Sequence, residues 1–404
     1  MTAVGAARIT SAEQARTVAA ALATEFAVDA AQRDRERALP FAEVRKLAAS
    51  GLLAVTVPAS HGGAELPPSA VAEVVRLLAI ADPNIAQIPH SHFVYVNLLK
   101  LAGSAEQHHR YLTAVLDGAQ IANAQSERGG ATVADIATTV RPLAEGQRFR
   151  IDGVKYYCTG SLFADFLAVL TRLDDPAGVS GLPSGQYVVF LPSDTPGVRI
   201  VDDWNGFGQR TTGSGTVSFD NVVVERDQLL ARTGAVDEPT AYGASAQLLH
   251  AAIDAGIARG ALTAAAGFAR DRSRPWFEAK VDRAVDDPLL IQRFGELAVA
   301  VSAAEATLAV AGAAVDAALG VPERVADASI AVATAKVLAD RAATEVSSAL
   351  FETGGTRSAA DDLNLHHFWR NARTHTLHDP VRWKYQHIGR TLLHGSPPPL
   401  HGVI

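Results

Sequence analysis

Three long, alanine-rich segments in the C-terminal part limit the folds that this chain can adopt. They span about residues 243–271, 287–318 and 323–352, and each repeats apolar residues every three to four positions with few charges between them. This spacing predicts helices, because residues three and four apart share one helix face. A segment such as "GELAVAVSAAEATLAVAGAAV" leaves little polar surface for a monomer. We therefore predict an antiparallel bundle that also packs against other subunits, with a homotetramer as the expected assembly.

The sequence before this bundle divides into a helical part and a β part. Residues 10 to about 118 show helical periodicity, whereas residues from about 121 to 230 form β-branched and aromatic runs such as "GQYVVFLP" between turn signals. A chain of 404 residues also exceeds the size that one hydrophobic core usually supports. We predict an α+β fold with an N-terminal helical domain (1–120), a central antiparallel β-barrel or sandwich (121–232) and a C-terminal four-helix bundle (233–404).

The composition argues against several classes of function. With 48% hydrophobic residues, 20% charged residues and a net charge of −7, the chain is typical of a globular protein and is a poor nucleic-acid binder. It has no run of about 18 apolar residues and no N-terminal basic segment before an apolar run, so we expect a cytoplasmic protein without a membrane partner. The segment "GFGQRT" lacks the last glycine of a dinucleotide-binding motif, so NAD(P)H binding is not predicted.

Sulfur-containing residues are scarce in this sequence. Cys158 is the single cysteine, which excludes an intramolecular disulfide and a cysteine-rich zinc site, and Met1 is the single methionine. Alanine-rich coding explains this scarcity, and so does synthesis during sulfur starvation.

A dense polar stretch, "HHFWRNARTHTLHDPVRWKY" at 366–385, holds four histidines, three arginines and two tryptophans. Pro380 disfavours helical geometry at Asp379, and aspartate before proline is a favourable helix N-cap. We therefore expect one helix to end near His378 and the final helix to start at Asp379. The negative end of the first helix dipole would then favour a protonated His378 imidazole. A reactive centre, a solvated helix face and a structural metal site are the three interpretations of this stretch.

Several motifs that lie in order along about residues 10–400 resemble the acyl-CoA dehydrogenase superfamily. They are "GLLAVTVPASHGG" (51–63), "SERGGATVAD" (126–135), "IDGVKYYCTGS" (151–161), "VSFDNVVVERDQLL" (217–230) and "RNARTHTLHDP" (370–380). The family's proton-abstracting glutamate corresponds here to Asp379, which is one methylene shorter. Its alternative position falls near Gln247, which cannot remove a proton. The comparison of motifs thus argues against acyl-CoA dehydrogenation.

The pattern "WRNxRTHxLHDP" at 369–380 is similar to the flavin-dependent monooxygenases of this superfamily. It resembles in particular the sulfur-acquisition branch, which includes dibenzothiophene monooxygenase and dimethyl-sulfone-type oxidoreductases. This resemblance implies a two-component system in which a separate NAD(P)H:flavin reductase supplies reduced FMN. The reduced FMN reacts with molecular oxygen to give a flavin C4a-hydroperoxide, which oxygenates a small organosulfur compound.

The same resemblance implies roles for individual residues. His378 is expected to donate a hydrogen bond to the hydroperoxide, and His375 to orient His378 or the flavin. His92 is expected to line the site while His90 points elsewhere, and Trp204 to stack over the flavin or the substrate. The expected catalytic residues are His378, His92, Thr159 and Asn123. The expected flavin-binding residues are Asn123, Ser126, Thr159, Trp204, Arg272, Arg274, Arg370, His375 and His378, and no metal ligand is expected.

The arginines in "ARDRSRPW" are the expected contacts of the FMN phosphate, reached from a neighbouring subunit. Arg272 and Arg274 fit this role equally well, and Arg370 and Arg373 are expected to hold flavin or interface carboxylates. Each site residue also has a structural interpretation. The histidines and the tryptophan fit core packing or helix capping, the asparagine and the threonine fit strand-end hydrogen bonds, and the arginines fit a solvated helix end.

Three other functions remain open from the sequence. His375, His378 and Asp379 offer the ligand types of a metal enzyme, but the i,i+3 histidine pair has no third ligand at a recognisable spacing. A non-catalytic flavin- or acyl-binding protein is the second alternative, because folds persist after chemistry is lost. The third is an FAD-dependent acyl-CoA dehydrogenase with an unconventional base.

Overall fold

A computed structural model describes residues 6–404 and contains an N-terminal helical part, a middle sheet and a C-terminal helical part. The predicted fold class is confirmed, and residues 1–5 of the predicted first domain lie outside the described residues. The Ser11 hydroxyl accepts a hydrogen bond from the Gln14 amide and so caps the first helix. The N-terminal helices are α1 (Ala12–Ala27), α2 (Ala30–Glu36), α3 (Phe41–Ala49), α4 (Pro68–Ala81), α5 (Pro83–Gln87), α6 (His90–Ala102), α7 (Ala105–Gln107) and α8 (Thr113–Leu116).

The middle part is one sheet. Its strands are β1 (Ile121–Ala124), β2 (Thr139–Pro142), β3 (Arg148–Lys155), β4 (Phe166–Leu173), β5 (Gln186–Pro192), β6 (Val198–Val201), β7 (Thr216–Glu225) and β8 (Leu229–Ala231). They lie in the order β6, β7, β3, β2, β4, β5, β8, with β1 beside β4. Most neighbours are antiparallel, but β4 runs parallel to β1 and β2. The prediction of an antiparallel sheet is confirmed for most neighbours and wrong for these two pairs. Strand β3 reverses the chain after β2, and a second reversal makes β4 run in the same direction as β2.

The C-terminal part contains the three long helices that the alanine-rich segments predict, with bounds within two residues of the expected ones. Asp287 caps the second long helix by accepting from the Leu289 amide, and Pro288 occupies its first position. The helices are α9 (Thr233–Asp237), α10 (Tyr242–Asp271), α11 (Pro288–Ala318), α12 (Val325–Gly354), α13 (His366–His375) and α14 (Val381–His394).

Two glycines allow α10 to approach α4 closely. A Cβ atom at Gly256 would lie 2.6 Å from the carbonyl oxygen of Arg76, and one at Gly260 would lie 2.5 Å from that of Ile80. A larger side chain at either position would therefore push the two helices apart. Because α10 also contacts α5 and α6, this close packing places His250, near the start of α10, beside those two helices.

Strand β4 shows how the sheet joins the two helical parts. Its side chains alternate in direction, as strand geometry requires. Leu167 and Val169 pack within the sheet, whereas Ala168 and Leu170 pack against α6 and the helices near it. All four are buried, so the strand is covered on both faces. A separate helical core joins α1, α4, α10, α11 and α12.

The outward face of α11 is apolar and exposed. Leu289, Ile291, Val299 and Val310 are all more than half exposed. By length and composition α11 is the one described helix that is apolar enough to cross a membrane, a test that core helices of soluble proteins also pass. Its opposite face packs against α10 and α12. Association with further copies of the chain would remove the exposed face from water.

We predict that the protein is a homotetramer in solution. Light scattering at micromolar concentration should give four chain masses. Val310→Lys places a charge on the exposed face of α11 and should lower this mass, whereas Val179→Lys, at an exposed loop position of the middle part, should leave it unchanged. A single chain mass for the unmodified protein would contradict the prediction.

Candidate active site

Two adjoining cavities lie where α5, α6 and α10 meet the sheet and the turn after α13. The polar cavity, of about 220 Å³, is lined by groups that include His90, Asn123, Arg232, Gln247, His250 and Asp379. The aromatic cavity, of about 520 Å³, is lined by groups that include Trp204, Phe207, Gln209, Thr374 and Leu377. The two cavities share the wall residues Gln87, Ser126, Tyr157, Thr159 and His378.

His378 belongs to this shared wall and is a neutral imidazole. Its Nδ1 lies 2.8 Å from the carbonyl oxygen of His375, which only accepts, so Nδ1 carries the proton. Its Nε2 lies 3.1 Å from the Gln87 amide nitrogen and accepts a hydrogen bond from it. Burial lowers the pKa of His378 to about 3, and His375 adds to this effect. The expected protonated imidazole is therefore wrong, because desolvation outweighs the helix dipole.

The turn between α13 and α14 also differs from the prediction. The final helix begins at Val381, without a side-chain cap, and Asp379 adopts a left-handed conformation with φ of 57°. The proline that follows excludes helical geometry at this position. The Asp379 carboxylate accepts a hydrogen bond from Gln247 Nε2 at 2.7 Å and lines the polar cavity instead of capping the helix. The predicted N-cap role of Asp379 is wrong because this bond holds the carboxylate inside the cavity.

Lys384 extends this contact into a buried network. Its Nζ donates to Gln247 Oε1 at 2.9 Å and to the carbonyl oxygen of Val403 at 2.7 Å. Burial lowers the pKa of Lys384 to about 8, while the nearby Asp379 carboxylate opposes this shift. The two positions that correspond to dehydrogenase bases, Gln247 and Asp379, are thus bonded to each other. The Gln247 amide cannot act as a base, and the Asp379 carboxylate uses Oδ2 to accept from Gln247.

Histidine rings cluster beside the polar cavity. The His250 ring stacks on His90, with centroids 3.9 Å apart, and on His378, with centroids 4.9 Å apart. Its Nδ1 lies 3.3 Å from His375 Nε2. His90 Nε2 donates to the carbonyl oxygen of Ala246 at 3.0 Å, and its ring lines the cavity. The expectation that His90 points away from the site is therefore wrong.

His375 is buried behind this cluster and connects it to an ion pair. Its Nδ1 lies 2.6 Å from Asp254 Oδ1, and Lys336 Nζ lies 2.6 Å from Asp254 Oδ2. All three side chains are fully buried. Burial alone would raise the pKa of Asp254, but the Lys336 charge and the hydrogen bonds from His375 and Lys336 lower it to about 2. The carboxylate is therefore ionised, and His375 is a supporting residue that lines neither cavity of this chain.

His92 occupies a core position outside both cavities. Its Nε2 donates to the carbonyl oxygen of Leu53 at 2.8 Å, and its Nδ1 accepts from the Ile121 amide at 3.1 Å. Burial lowers its pKa to about 4, so the ring is neutral. Both ring nitrogens thus tie α6 to neighbouring backbone. This placement gives no support to a catalytic role for His92.

Asn123 and Thr159 reach the cavities from the sheet and the loop after β3. Asn123 lines the polar cavity from β1, and its buried Oδ1 has no partner among the described residues. Thr159 lies in the shared wall, where its hydroxyl is 2.8 Å from the Ser214 hydroxyl. Both side chains place hydrogen-bonding groups at the cavities.

Ser126 stands in the shared wall at the start of a loop that a buried ion pair anchors. Lys155 Nζ lies 2.6 Å from Glu127 Oε1 and donates to the carbonyl oxygen of Gln125 at 3.1 Å. Burial opposes the ionised form of Glu127, but its hydrogen bonds from Lys155 and from backbone amides lower its pKa to about 2. The ion pair fixes the backbone on both sides of Ser126.

Trp204 lines the aromatic cavity from the loop before β7. Its indole Nε1 donates to the carbonyl oxygen of Gln209 at 2.7 Å, and its ring meets Tyr157 edge-on at 6.2 Å between centroids. The loop lies directly on α13, because a Cβ atom at Gly208 would be only 1.9 Å from the carbonyl oxygen of Arg370. A glycine at this position is therefore needed to close the cavity.

The predicted flavin-binding arginines lie elsewhere in the chain. Arg370 donates to Asp34, to Asn364 and to a backbone carbonyl, and Arg373 donates to Thr376. These contacts are structural. The described residues that line the two cavities do not include Arg370, Arg373, Arg272 or Arg274.

The sequence motifs did not predict three residues of the site, namely His250, Asp254 and Lys336. One signal was present: His250 and Asp254 are four residues apart in α10 and so share a helix face. Lys336 is likewise a charged residue within an apolar helical run, "ATAKVLAD". Charged and titratable residues on buried faces of apolar helices indicate a polar network.

Family comparisons match the three parts of the chain in order. The acyl-CoA dehydrogenase N-terminal domain matches residues 10–119, the middle domain matches 122–222 and the C-terminal domain matches 248–383. Dibenzothiophene monooxygenase from Rhodococcus qingshengii is 33% identical over 394 residues, which cover 94% of this chain and 93% of that protein. The chain belongs to the acyl-CoA dehydrogenase superfamily.

Two further relatives place the chain in the flavin-dependent monooxygenase branch of that superfamily. The probable FMNH2-dependent monooxygenase SfnC from Pseudomonas putida is 31% identical, with 95% of this chain and 96% of SfnC covered. The crystal structure of FMN-bound TdsC from Paenibacillus sp. A11-2 superposes with a TM-score of 0.90 at 33% identity, covering 96% of this chain and all of TdsC.

The buried neutral histidines of this acyl-CoA dehydrogenase-like fold predict a loss of stability in acid. Burial lowers the pKa of His90, His92 and His367 to about 4 and that of His378 to about 3. An unfolded histidine binds its proton near pH 6.5, so below this pH the unfolded chain binds more protons than the folded chain. The free energy of unfolding is therefore highest above pH 6.5 and should fall toward pH 4, by at most about 1.4 kcal/mol per pH unit and histidine.

Urea unfolding between pH 7.5 and pH 4.5 would measure this dependence. His367→Phe removes one buried titrating ring and should reduce the slope, whereas His109→Phe, at an exposed position, should not. A free energy of unfolding that stays constant from pH 6.5 to 4.5 would refute the assignment of neutral buried histidines.

Proposed function

We propose that this protein is a monooxygenase of sulfur metabolism that uses reduced FMN to oxygenate a small organosulfur compound. The observation that carries the proposal is the pair of adjoining cavities that share His378, Thr159 and Ser126 in one wall. An apolar, aromatic cavity suits a flat cofactor ring, and a polar cavity beside it suits a substrate. The similarity to an FMNH2-dependent monooxygenase and to FMN-bound TdsC supports this assignment.

The polar atoms around the aromatic cavity fit an FMN ring. Both amide atoms of Gln209 and the Thr374 hydroxyl are buried without a hydrogen-bond partner among the described residues. Such groups are costly unless a ligand satisfies them. The edge of a flavin ring carries carbonyl oxygens and nitrogens that match donors and acceptors of this kind. We assign the flavin phosphate to Arg272 or Arg274 of a neighbouring subunit, since this chain places neither in its own cavities.

The chemistry divides between the flavin and the protein. FMN reduced by a separate NAD(P)H:flavin reductase would react with molecular oxygen to give the C4a-hydroperoxide that transfers oxygen to sulfur. Ser126 and Thr159 place hydroxyls in the shared wall, where the Thr159 hydroxyl is bonded to Ser214, and Asn123 adds an amide from the polar cavity. His378 Nε2, which accepts from the Gln87 amide in this structure, would accept from an O–H group of the reacting oxygen in place of that amide. The enclosing walls exclude water, which strengthens these interactions.

The polar cavity favours this function over acyl-CoA dehydrogenation with FAD. An acyl-CoA dehydrogenase uses a glutamate to remove a substrate proton. Here the shorter Asp379 takes that position and accepts from Gln247, whose oxygen accepts from Lys384. We propose a cytoplasmic enzyme with oxygen, an organosulfur substrate and the reductase as partners, and without nucleic-acid or membrane partners.

Arg232 points to the type of sulfur compound. It lines the polar cavity and donates to Gln186 Oε1 at 2.8 Å. A guanidinium group has five donor hydrogens, so further donors are available to a ligand. These donors favour a small, partly oxidised sulfur compound with acceptor oxygens.

We predict that turnover requires reduced FMN, oxygen and an organosulfur compound. A panel of sulfides, sulfoxides, sulfones and sulfinates, incubated with a flavin reductase, NADH and FMN, should yield a product with one added oxygen atom by mass spectrometry. Acyl-CoA thioesters should be inert. Electron transfer from an acyl-CoA to a dye in the absence of reductase would overturn the proposal.

We further predict that His378→Ala lowers substrate oxidation while FMN binding is retained. The loss of one preorganised hydrogen-bonding group in such a site typically costs about two to three orders of magnitude in rate. Hydrogen peroxide should accumulate in place of product, whereas His109→Ala, at an exposed position, should behave as the parent. If Thr159→Val uncouples the reaction and His378→Ala does not, the role belongs to Thr159. If neither variant changes coupling, the monooxygenase proposal fails.

A further inference from the structure

A continuous chain of hydrogen bonds runs from the interior of the helical bundle to the polar cavity. It starts at Lys336 on α12, passes through Asp254 on α10 and His375 on α13, and ends at His250 on α10. The donor–acceptor distances are 2.6, 2.6 and 3.3 Å. The first three groups are fully buried, and only His250 lines the cavity.

The direction of each hydrogen bond follows from the ionised Asp254 carboxylate. A carboxylate only accepts, so His375 Nδ1 carries a proton. His375 Nε2 in the neutral ring is then an acceptor, and His250 Nδ1 donates to it. His250 Nε2 is left without a proton and forms no hydrogen bond with the described residues, while the ring borders the polar cavity. The chain therefore presents a basic nitrogen to this cavity.

We propose that Asp254, His375 and His250 form a proton relay that serves the polar cavity. When His250 Nε2 takes up a proton, its Nδ1 proton passes to His375 Nε2, and the extra charge rests on His375 beside the Asp254 carboxylate. The reverse transfers return the proton to the cavity. A buried carboxylate stabilises an imidazolium in this manner in other enzymes. His250 is the residue that meets the reactants, and Asp254 and His375 act through it.

The role of the relay rests on the proposed function, because the monooxygenase reaction consumes a proton. In the overall reaction, anionic reduced flavin, one proton, oxygen and a sulfur compound give oxidised flavin, the oxygenated compound and water. One proton is therefore consumed in each turnover when the reduced flavin arrives as the anion. The enclosed site needs a source for that proton, and the relay stores it within the wall of the polar cavity.

Structural stability alone does not account for the ion pair at the base of the relay. Two charges lose several kcal/mol of hydration on burial, and apolar residues of similar size are often equally stable or more stable in their place. The surrounding faces of α10 and α12 are mostly alanine, valine and isoleucine. Lys336 balances the charge of Asp254, so His375 gains a carboxylate partner without leaving a buried net charge.

Other charged and titratable groups border the relay. Asp340 on α12 lies 3.8 Å from Lys336, and burial raises its pKa to about 6. The remaining neighbours are His90 at the start of α6, Arg373 on α13, and His378 and Asp379 in the turn before α14. Burial lowers the pKa of His250 well below its ordinary value, and the nearby Lys336 charge adds to this effect. A proton therefore leaves His250 readily for either His375 or the cavity.

Solid-state ¹⁵N NMR on histidine-labelled protein without flavin tests the relay independently of turnover. The parent should show a neutral His250 with the proton on Nδ1, and a proton on Nδ1 of His375. Signals would be assigned with His250→Ala and His375→Gln. Asp254→Asn should shift the His375 Nδ1 signal, because the carboxylate that accepts this proton is lost. A His250 that carries its proton on Nε2 would overturn the proposal.

The turnover test uses the holoenzyme with reduced FMN and a substrate found in the panel. His250→Ala and His375→Gln should each lower the oxidation rate by about 10²-fold or more, a typical contribution of acid–base catalysis. Added imidazole should restore part of the rate in His250→Ala, which borders the cavity, and not in His375→Gln. His367→Gln, a buried histidine outside the relay, is the matched control and should keep the parent rate.

Three results would contradict the relay. The first is that His250→Ala and His375→Gln both keep the rate and pH profile of the parent. The second is that His250→Ala loses oxidation rate and added imidazole does not restore it. The nitrogens of His250, His375 and His378 lie within 4.8 Å of one another, so a stoichiometric metal ion lost in His375→Gln would identify a metal site instead. If the parent itself oxidises no sulfur compound while the NMR result holds, the proposed function fails and the relay stands.

Discussion

The ion pair between Asp254 and Lys336 determines how the catalytic part of this protein is arranged. Both side chains are fully buried, so neither charge is tolerable without the other, and the loss of one partner of such a pair typically costs about 3–5 kcal/mol. The pair therefore fixes α10 against α12. The second carboxylate oxygen of Asp254 holds His375, which fixes the end of α13 against α10. The backbone carbonyl of His375 in turn sets the ring orientation of His378 in the wall between the two cavities.

Desolvation then decides the charge of each group at the cavities. His90, His250 and His378 are neutral because burial destabilises an unpaired imidazolium by more than the surrounding dipoles stabilise it. Asp254 stays ionised because a lysine and a histidine face its two oxygens. The neutral rings offer acceptors to a ligand, and the donors come from the hydroxyls and amides around them. This division of donors and acceptors suits a reaction that moves both an oxygen atom and a proton.

The overall fold follows from local periodicity, but the fine structure of the site does not. The alanine-rich runs predict α10, α11 and α12 because a repeat of three to four residues is a property of each helix alone. His90 lies at the cavity and His92 in the core, the reverse of the prediction, because α6 is buried on most of its surface and its pattern does not mark a cavity face. The role of Asp379 depends on Gln247, which is 132 positions away in the sequence. The charge of His378 depends on burial that only the packed chain creates. Periodicity and capping rules describe local structure, so they do not predict long-range contacts or the effects of desolvation.

We propose that the two cavities bring an oxygen-activating flavin next to a sulfur compound. The most direct measurement is a reaction under ¹⁸O₂ with chemically reduced FMN and a substrate from the panel, analysed by mass spectrometry of the product. One ¹⁸O atom is expected in each product molecule, with none from H₂¹⁸O in the converse experiment. A product whose added oxygen comes from water, or one that loses hydrogen without gaining oxygen, would rule out oxygen transfer from a reduced flavin.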